Sequence, residues 1–171
     1  MNKKIDTEFY KQDALEVAPK LIGKLLVRKL SSGTVLKFRI TEVEAYRGEE
    51  DSACHARFGV TPRTKILYEE GGQLYVYLCY GIHYLLNIVT GKKNEPQAVL
   101  IRGIEGYDGP GKLTKFLNIN SDFNGRNLSD SDEIWLEDDG KIFNYTTTKR
   151  VGINYAKEPY RSIEWRYIIK N

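Results

Sequence analysis

Cysteine and histidine are scarce, with two of each among 171 residues. Cys54 and Cys79 form no CxxC pair, and His55 and His83 stand apart, so neither a disulfide framework nor a metal site is supported. A reducing compartment is the expected setting. Long apolar runs are also missing: no stretch reaches the roughly 18 residues of a membrane helix, and MNKKIDTEFYKQ at the start has no apolar signal region. A soluble, intracellular protein is expected. Charge of one sign is not in large excess, the net being +3. That value is compatible with a polyanionic partner without requiring one. No repeat and no linker-like segment divides the chain, so residues 1–171 are expected to form a single domain.

Tyrosine is abundant: 12 of the residues carry its flat apolar ring and polar tip. Such an excess suits ring recognition or a β-rich core. Hydrophobic residues make up 41% of the chain, enough for one sizeable core. In YKQDALEVAPKLIG (10–23), Leu15, Ala18 and Ile22 have helical spacing, with Pro19 predicted to kink or end the helix. LLVRKL (25–30) and TVLKFRITEVEAY (34–46) read as a hairpin across SSG. Residues 47–73 read as a long loop with a helical turn, and loops of that length usually carry function. Two strands broken near Gly81 follow in QLYVYLCYGIHYLLNIVTG, then a strand at 96–105 and a short helix at 110–119 opened by Pro110. Residues around Asp139-Gly140 predict a hairpin, and RSIEWRYIIK alternates like a last strand. The fold class is α+β: a curved, mostly antiparallel sheet with flanking helices.

The 34–46 strand poses a problem of charge. Alternation places Leu36, Phe38, Ile40, Glu42, Glu44 and Tyr46 on one face. Glu44 therefore points into the protein or into a pocket, where a carboxylate must be paired or working. An ion pair with Arg102 is the structural alternative, and a bulge would change the parity. Two glutamates at i and i+2 lie roughly 7 Å apart, inside the ~6.5–9.5 Å carboxyl spacing of inverting glycosidases. A sugar hydrolase is thus a rival reading.

Two further patterns invite a site. Gly106 to Lys112 fits GxxxxGK, but Leu113 stands where the magnesium-ligating hydroxyl belongs and Pro110 removes a backbone donor. Tyr75, Tyr77 and Cys79 share one strand face, and Tyr80-Gly81 places a ring at a predicted bend. An ordinary β core with edge tyrosines is the alternative for that run.

Taken together, ITEVEAYRGEEDSACHARFG (40–59), TPR (61–63), LYVYLCYGIHYLLNIV (74–89), AVLIRGIE (98–105), GPGKLTKFLNI (109–119) and RVGINYA (150–156) closely resemble the alkylpurine, or 3-methyladenine, DNA glycosylases of the alkyladenine type. These stretches span most of the chain in the family's order. The resemblance implies that Glu44 is the general base activating a water, with Arg102 and the Val151 carbonyl helping to hold that water. Tyr46, His55 and Tyr77 would line the base pocket, Asn87 would exclude guanine, and Tyr80 would fill the gap left in the duplex. Glu42 matches a position with no catalytic role.

The implied activity is hydrolysis of the N-glycosidic bond of alkylated or deaminated purines, such as 3-methyladenine, 7-methylguanine, hypoxanthine or ethenoadenine, in double-stranded DNA. The implied enzyme is a monomer that uses neither metal nor nucleotide cofactor. If prokaryotic, it would be cytoplasmic and work on nucleoid DNA. No lysine occupies a matching nucleophile position, which implies base release without strand cleavage. Arg57, Arg63, Lys65, Lys112, Lys115 and Arg150 are candidate phosphate contacts. A non-catalytic reader of damaged DNA is the alternative from another class. One departure stands out: only GIEGYD separates Arg102 from Gly109, where family members usually carry a longer insert.

Overall fold

A computed structural model describes residues 2–171. Its strands are β1 (Lys3–Lys4), β2 (Leu25–Lys29), β3 (Val35–Arg47), β4 (Leu74–Cys79), β5 (His83–Val89), β6 (Gln97–Ile104), β7 (Tyr107–Asp108), β8 (Ile134–Asp138), β9 (Tyr145–Thr148) and β10 (Arg166–Ile169). The helices are α1 (Thr7–Tyr10), α2 (Ala14–Leu21) and α3 (Pro110–Phe116). Strand order is β1-β8-β2-β3-β6-β5-β4, with β10 joining β3 to β9 and β7 folding back on β6. Each of these pairings is antiparallel. The class is therefore α+β, as expected.

The long strand β3 organises the sheet. Its first half, Val35 to Arg39, pairs with β2, and its second half pairs with β6 and β10. Between Ile40 and Val43 the β6 ladder is irregular, yet the register on the two sides is the same. The alternation of side chains therefore survives, and Glu42, Glu44 and Tyr46 stay on one face.

Directly opposed residues of antiparallel neighbours share a face. Tyr46 opposes Ala98, Glu44 opposes Leu100, Leu100 opposes Asn87, and Asn87 opposes Tyr75. That row is one side of the sheet. The other side presents Val43, Ala45, Val99, Ile101, Leu86, Ile88, Leu74 and Val76, all buried in the main core. Helix α2 packs on β3 and β6.

Asp13 caps α2 by accepting the Leu15 N–H at 2.9 Å. The buried stripe of α2 is Ala14, Val17, Ala18 and Leu21, rotated from the predicted one: Leu15 is only half-buried, and Ile22 lies past the helix end. Pro19 does not stop the helix, which ends two residues later at Leu21.

The short segment after Arg102 is a tight hairpin. Gly103 pairs with Asp108 and Ile104 with Tyr107. Tyr107 stacks on Phe116 of α3 with ring centroids 3.9 Å apart, and Phe38 meets both rings edge-on. These three aromatics fix α3 over the Phe38 end of β3. The side of β3 that carries the glutamates is thus roofed at Phe38 and open towards Tyr46. That answers why carboxylates follow an apolar run: the core ends and a cavity begins along one strand.

The predicted hairpin around Asp139-Gly140 is absent. β8 pairs with β1 and β2, whereas β9 pairs with β10. Asp139 is tied to Arg39 at 2.9 Å, and the Phe143 ring lies so close to Gly23 that a Cβ there would sit 2.3 Å from it. The chain is drawn past Arg39, inside β3, instead of turning back on β8.

Candidate active site

A cavity of about 720 Å³ opens on the exposed side of β3–β6–β5–β4, within the usual size for a small-ligand site. Tyr46, His55, Tyr77, Asn87, Arg102 and Val151 all line it, so strands, the 47–73 loop and the 150–156 segment converge there. Tyr75, Arg63, Tyr155 and Gly111 join them. The shared face of Tyr75 and Tyr77 could have marked Tyr75 from sequence; Tyr155 gave no such signal.

Glu44 itself is 0% exposed and lies behind that wall. Its Oε1 accepts a hydrogen bond from the Tyr46 hydroxyl at 2.7 Å, and its Oε2 accepts the Val151 N–H at 2.6 Å. Arg102 Nε is 3.8 Å from Oε2. Burial raises the Glu44 pKa above the ordinary carboxyl range, against the opposing pull of Arg102, the Val151 N–H, Tyr46 and Arg150. The Tyr46 phenol is held well above its usual value by burial and by Glu44, which keeps its proton on the oxygen as a donor. A buried carboxyl with a raised pKa beside a cavity has the profile of an acid–base group. The contact made by Val151 is through its N–H, while the resemblance singled out its carbonyl.

The structural alternative for Glu44, an ion pair with Arg102, falls mainly to Glu42. Arg102 Nε bonds Glu42 Oε2 at 2.9 Å, and Arg166 Nε bonds the same oxygen at 2.8 Å. Glu42 does not line the cavity. With Oε2 taken by two guanidinium groups, it is poorly placed as the second carboxyl of a sugar hydrolase.

Three rings make the aromatic wall. His55 lies 4.7 Å from Tyr77 and 5.8 Å from Tyr75 between centroids, and His55 Nδ1 is 2.7 Å from the Tyr75 hydroxyl. Burial, then Arg63 and Arg57, lowers the His55 pKa to about 4, so its ring is neutral near pH 7. Asn87 is buried, and its side-chain NH₂ donates to the Tyr75 carbonyl at 3.1 Å. Behind Tyr46 sits Arg150, its guanidinium 4.8 Å from the ring.

Arg150 is not a surface cation. Its side chain is 0% exposed and bonds Asp51 twice, at 2.7 and 2.9 Å, as well as the Ala45 and Tyr160 carbonyls. The expectation that it contacts phosphate is corrected: it is a buried brace for the cavity wall. Lys65, Lys112 and Lys115 are exposed, and Lys112 lines the cavity mouth. Arg63 is exposed with its guanidinium 4.9 Å from the Tyr77 ring, and Arg57 lies 4.1 Å from the Phe58 ring and 4.9 Å from that of Tyr155.

Tyr80 stands at the tip of the β4–β5 hairpin, 90% exposed, in a turn closed by the Ile82 N–H to the Cys79 carbonyl. Both Tyr80 and Gly81 have positive φ, 53° and 65°. Glycine adopts that conformation freely, whereas a tyrosine there is strained. Ile82, at 71% exposed, extends the apolar tip and escaped the sequence reading.

The GxxxxGK stretch is not a phosphate cradle. Gly106 belongs to the β6–β7 turn, the Gly109 N–H is spent on the Arg102 carbonyl, and the His83 ring sits over Gly111, 2.7 Å from where a Cβ would be. Among the described residues no group of three or more His, Cys, Asp or Glu could hold a metal ion, and no helix is long and apolar enough to cross a membrane.

This geometry meets an independent likeness. A family model described as "Methylpurine-DNA glycosylase" matches residues 8–108 and 105–171. The two matched segments meet at 105–108, the short connection between Arg102 and Gly109. A protein of Borrelia garinii subsp. bavariensis named "Putative 3-methyladenine DNA glycosylase" is 46% identical, covering 98% of this chain and 96% of its own. Proteins of the same name from Natranaerobius thermophilus and Methanocella arvoryzae are 41% and 40% identical, over 98% and 96% of this chain and 96% and 91% of their own. The chain belongs to the methylpurine-DNA glycosylase family, a class of hydrolytic DNA repair enzymes.

Proposed function

We propose that this protein hydrolyses the N-glycosidic bond of alkylated or deaminated purines in duplex DNA, taking the damaged base out of the helix and leaving an abasic site. The observation that carries this reading is the placement of Glu44. A carboxyl with a raised pKa sits directly behind the wall of an aromatic cavity, bonded to two groups that line it, Tyr46 and Val151.

The extruded purine enters between the Tyr46 side and the His55–Tyr77 side. Extrusion costs a few kcal/mol, least for a damaged base, and the tip of the β4–β5 hairpin offsets part of it by filling the gap with the Tyr80 ring. A cationic base such as 7-methylguanine gains about 0.5–2 kcal/mol from cation–π attraction to the tyrosine faces. Each Glu44 oxygen accepts one hydrogen bond within the protein and has a second lone pair, which a water reaches once the Tyr46–Val151 wall in front of it parts. As the glycosidic bond breaks with oxocarbenium character, the carboxylate stabilises the cation and takes the water's proton, while Arg102 helps to hold that water. A cationic leaving base needs no added proton. Neutral Asn87 and His55 distinguish base edges by shape and hydrogen bonding instead of charge. Exposed Arg63, Lys65, Lys112 and Lys115 flank the phosphates.

The test is an oligonucleotide duplex with one 7-methylguanine or hypoxanthine, incubated with the protein and then heated in alkali. Strand scission that appears only after alkali is the expected result. No scission with any alkylated or deaminated purine would leave a reader of damage, not an enzyme acting on it.

A further inference from the structure

Glu42 has no part in that mechanism, yet it is the centre of a cluster of three charged side chains, one of which, Arg102, lines the cavity. Its Oε2 accepts from Arg102 Nε at 2.9 Å and from Arg166 Nε at 2.8 Å, with all three side chains mostly buried. Arg102 is also the cation nearest to Glu44, but at 3.8 Å it stops short of a hydrogen bond. Its Nε is thus committed to Glu42, and Arg102 itself lines the cavity.

The pairing pattern shows how this is built. β10 lies against β3 so that Arg166 opposes Glu44 and Ile168 opposes Glu42. The last strand of the chain therefore delivers a second guanidinium to Glu42. Without that carboxylate, two mostly buried cations would face Glu44 alone, and the nearer would close the gap onto it.

We propose that Glu42 is a positioning residue for the glycosylase reaction: it holds the Arg102 guanidinium off the Glu44 carboxylate and turns it towards the water and sugar in the cavity. This rests on the reading of Glu44 as the general base. The groups facing Glu44 are Arg102 from β6, Arg166 from β10, Tyr46 from β3 itself, and Arg150 and the Val151 N–H from the segment before β10. Of these cations, Arg102 is the one that lies within 4 Å of both Glu42 and Glu44. The arrangement keeps opposite charges separate but close, so that neither the base nor the clamp is used up by the other. Orienting partners of this kind, where measured at metal sites, act on activity by about 10–100-fold.

The decisive measurement is single-turnover excision of 7-methylguanine from a duplex as a function of pH, for wild type and Glu42→Gln. The glutamine keeps the shape and an acceptor oxygen but loses the charge. Arg102 should then pair with Glu44, which makes Glu44 easier to ionise and blocks its oxygen. The expected result is a fall in the excision rate of about 10–100-fold, with the acidic limb of the pH profile moved to lower pH. Affinity for a duplex with an abasic-site analogue should be unchanged. An unchanged rate, or a lower rate with an unmoved acidic limb, would overturn the proposal. If the single variant does not fold because Arg166 is left unpaired, Glu42→Gln with Arg166→Gln restores the charge balance and carries the same expectation. Failure of both to fold would overturn it in favour of a purely structural role. Absence of excision by the wild type would instead defeat the functional reading itself.

Discussion

Replacing Glu44 by glutamine separates its chemical role from its structural burden, because the two respond in opposite directions. Glutamine is isosteric. Its carbonyl oxygen can accept the Val151 N–H, and its amide can donate to the Tyr46 oxygen, whose own proton is free to turn away. Both contacts survive, so the pocket should keep its shape and still bind an abasic-site duplex. What disappears is the ability to take a proton. The base function is worth about 10²–10⁴-fold, roughly 3–5 kcal/mol of transition-state stabilisation. Excision in the alkali assay should fall by that factor.

Stability should move the other way. Burial raises the Glu44 pKa in the fold, so the folded protein holds this proton more tightly than the unfolded chain. Near pH 3 both states are protonated and glutamine changes little. As pH rises past about 4.3, the ordinary glutamate value, the unfolded chain ionises first and the wild type loses stability until its own folded pKa is passed. The melting temperature of Glu44→Gln should therefore exceed that of the wild type at pH 8, with the gap closing as pH falls. Each kcal/mol relieved is worth about 2–4 °C in a chain of this size. A variant that keeps wild-type excision refutes the base assignment. One that is inactive but whose advantage over the wild type is no larger at pH 8 than at pH 4 refutes the account of Glu44 as a desolvated carboxyl.

Two other perturbations have clear signs. Tyr80→Gly removes a strained positive-φ tyrosine and should raise stability by about 1 kcal/mol, read from the urea midpoint. The same change should lower the preference for duplex over single-stranded substrate; an equal preference in both proteins would argue against a wedge. Asp51→Ala leaves the fully buried Arg150 without its counter-charge and should cost about 3–5 kcal/mol in urea unfolding. Lesion binding should weaken with it because Arg150 backs the Tyr46 ring; a cost below about 1 kcal/mol would mean that the cation is not buried in solution.

Local alternation carries most of what the sequence discloses. The pattern over 34–46 places Glu42, Glu44 and Tyr46 on one face, and that face is where the cavity lies. The Tyr75–Tyr77–Cys79 row is legible for the same reason: strand parity is set residue by residue. Features that depend on distant partners are not legible. Arg150 reads as a surface cation because Asp51, which buries it, is 99 residues away. Asp139-Gly140 has hairpin chemistry, but the Asp139–Arg39 pair and the seat of Phe143 over Gly23 override it.

Glu42 shows the limit from the other side. Composition and spacing make it the twin of Glu44, and on a bare strand the two would be equivalent candidates. Their difference arises only where the sheet closes. β10 brings Arg166 to the inner edge of β3, Arg102 stands across on β6, and Glu42 is the carboxylate bonded to both. Glu44, one residue pair further along, hydrogen-bonds a hydroxyl and a peptide N–H, with Arg102 held off at 3.8 Å. Two identical side chains thus become a charge anchor and a desolvated carboxyl through the positions of two arginines. On the proposed reading of Glu44 as the base, that asymmetry matters, because a base neutralised by its own clamp could not accept the proton of the attacking water.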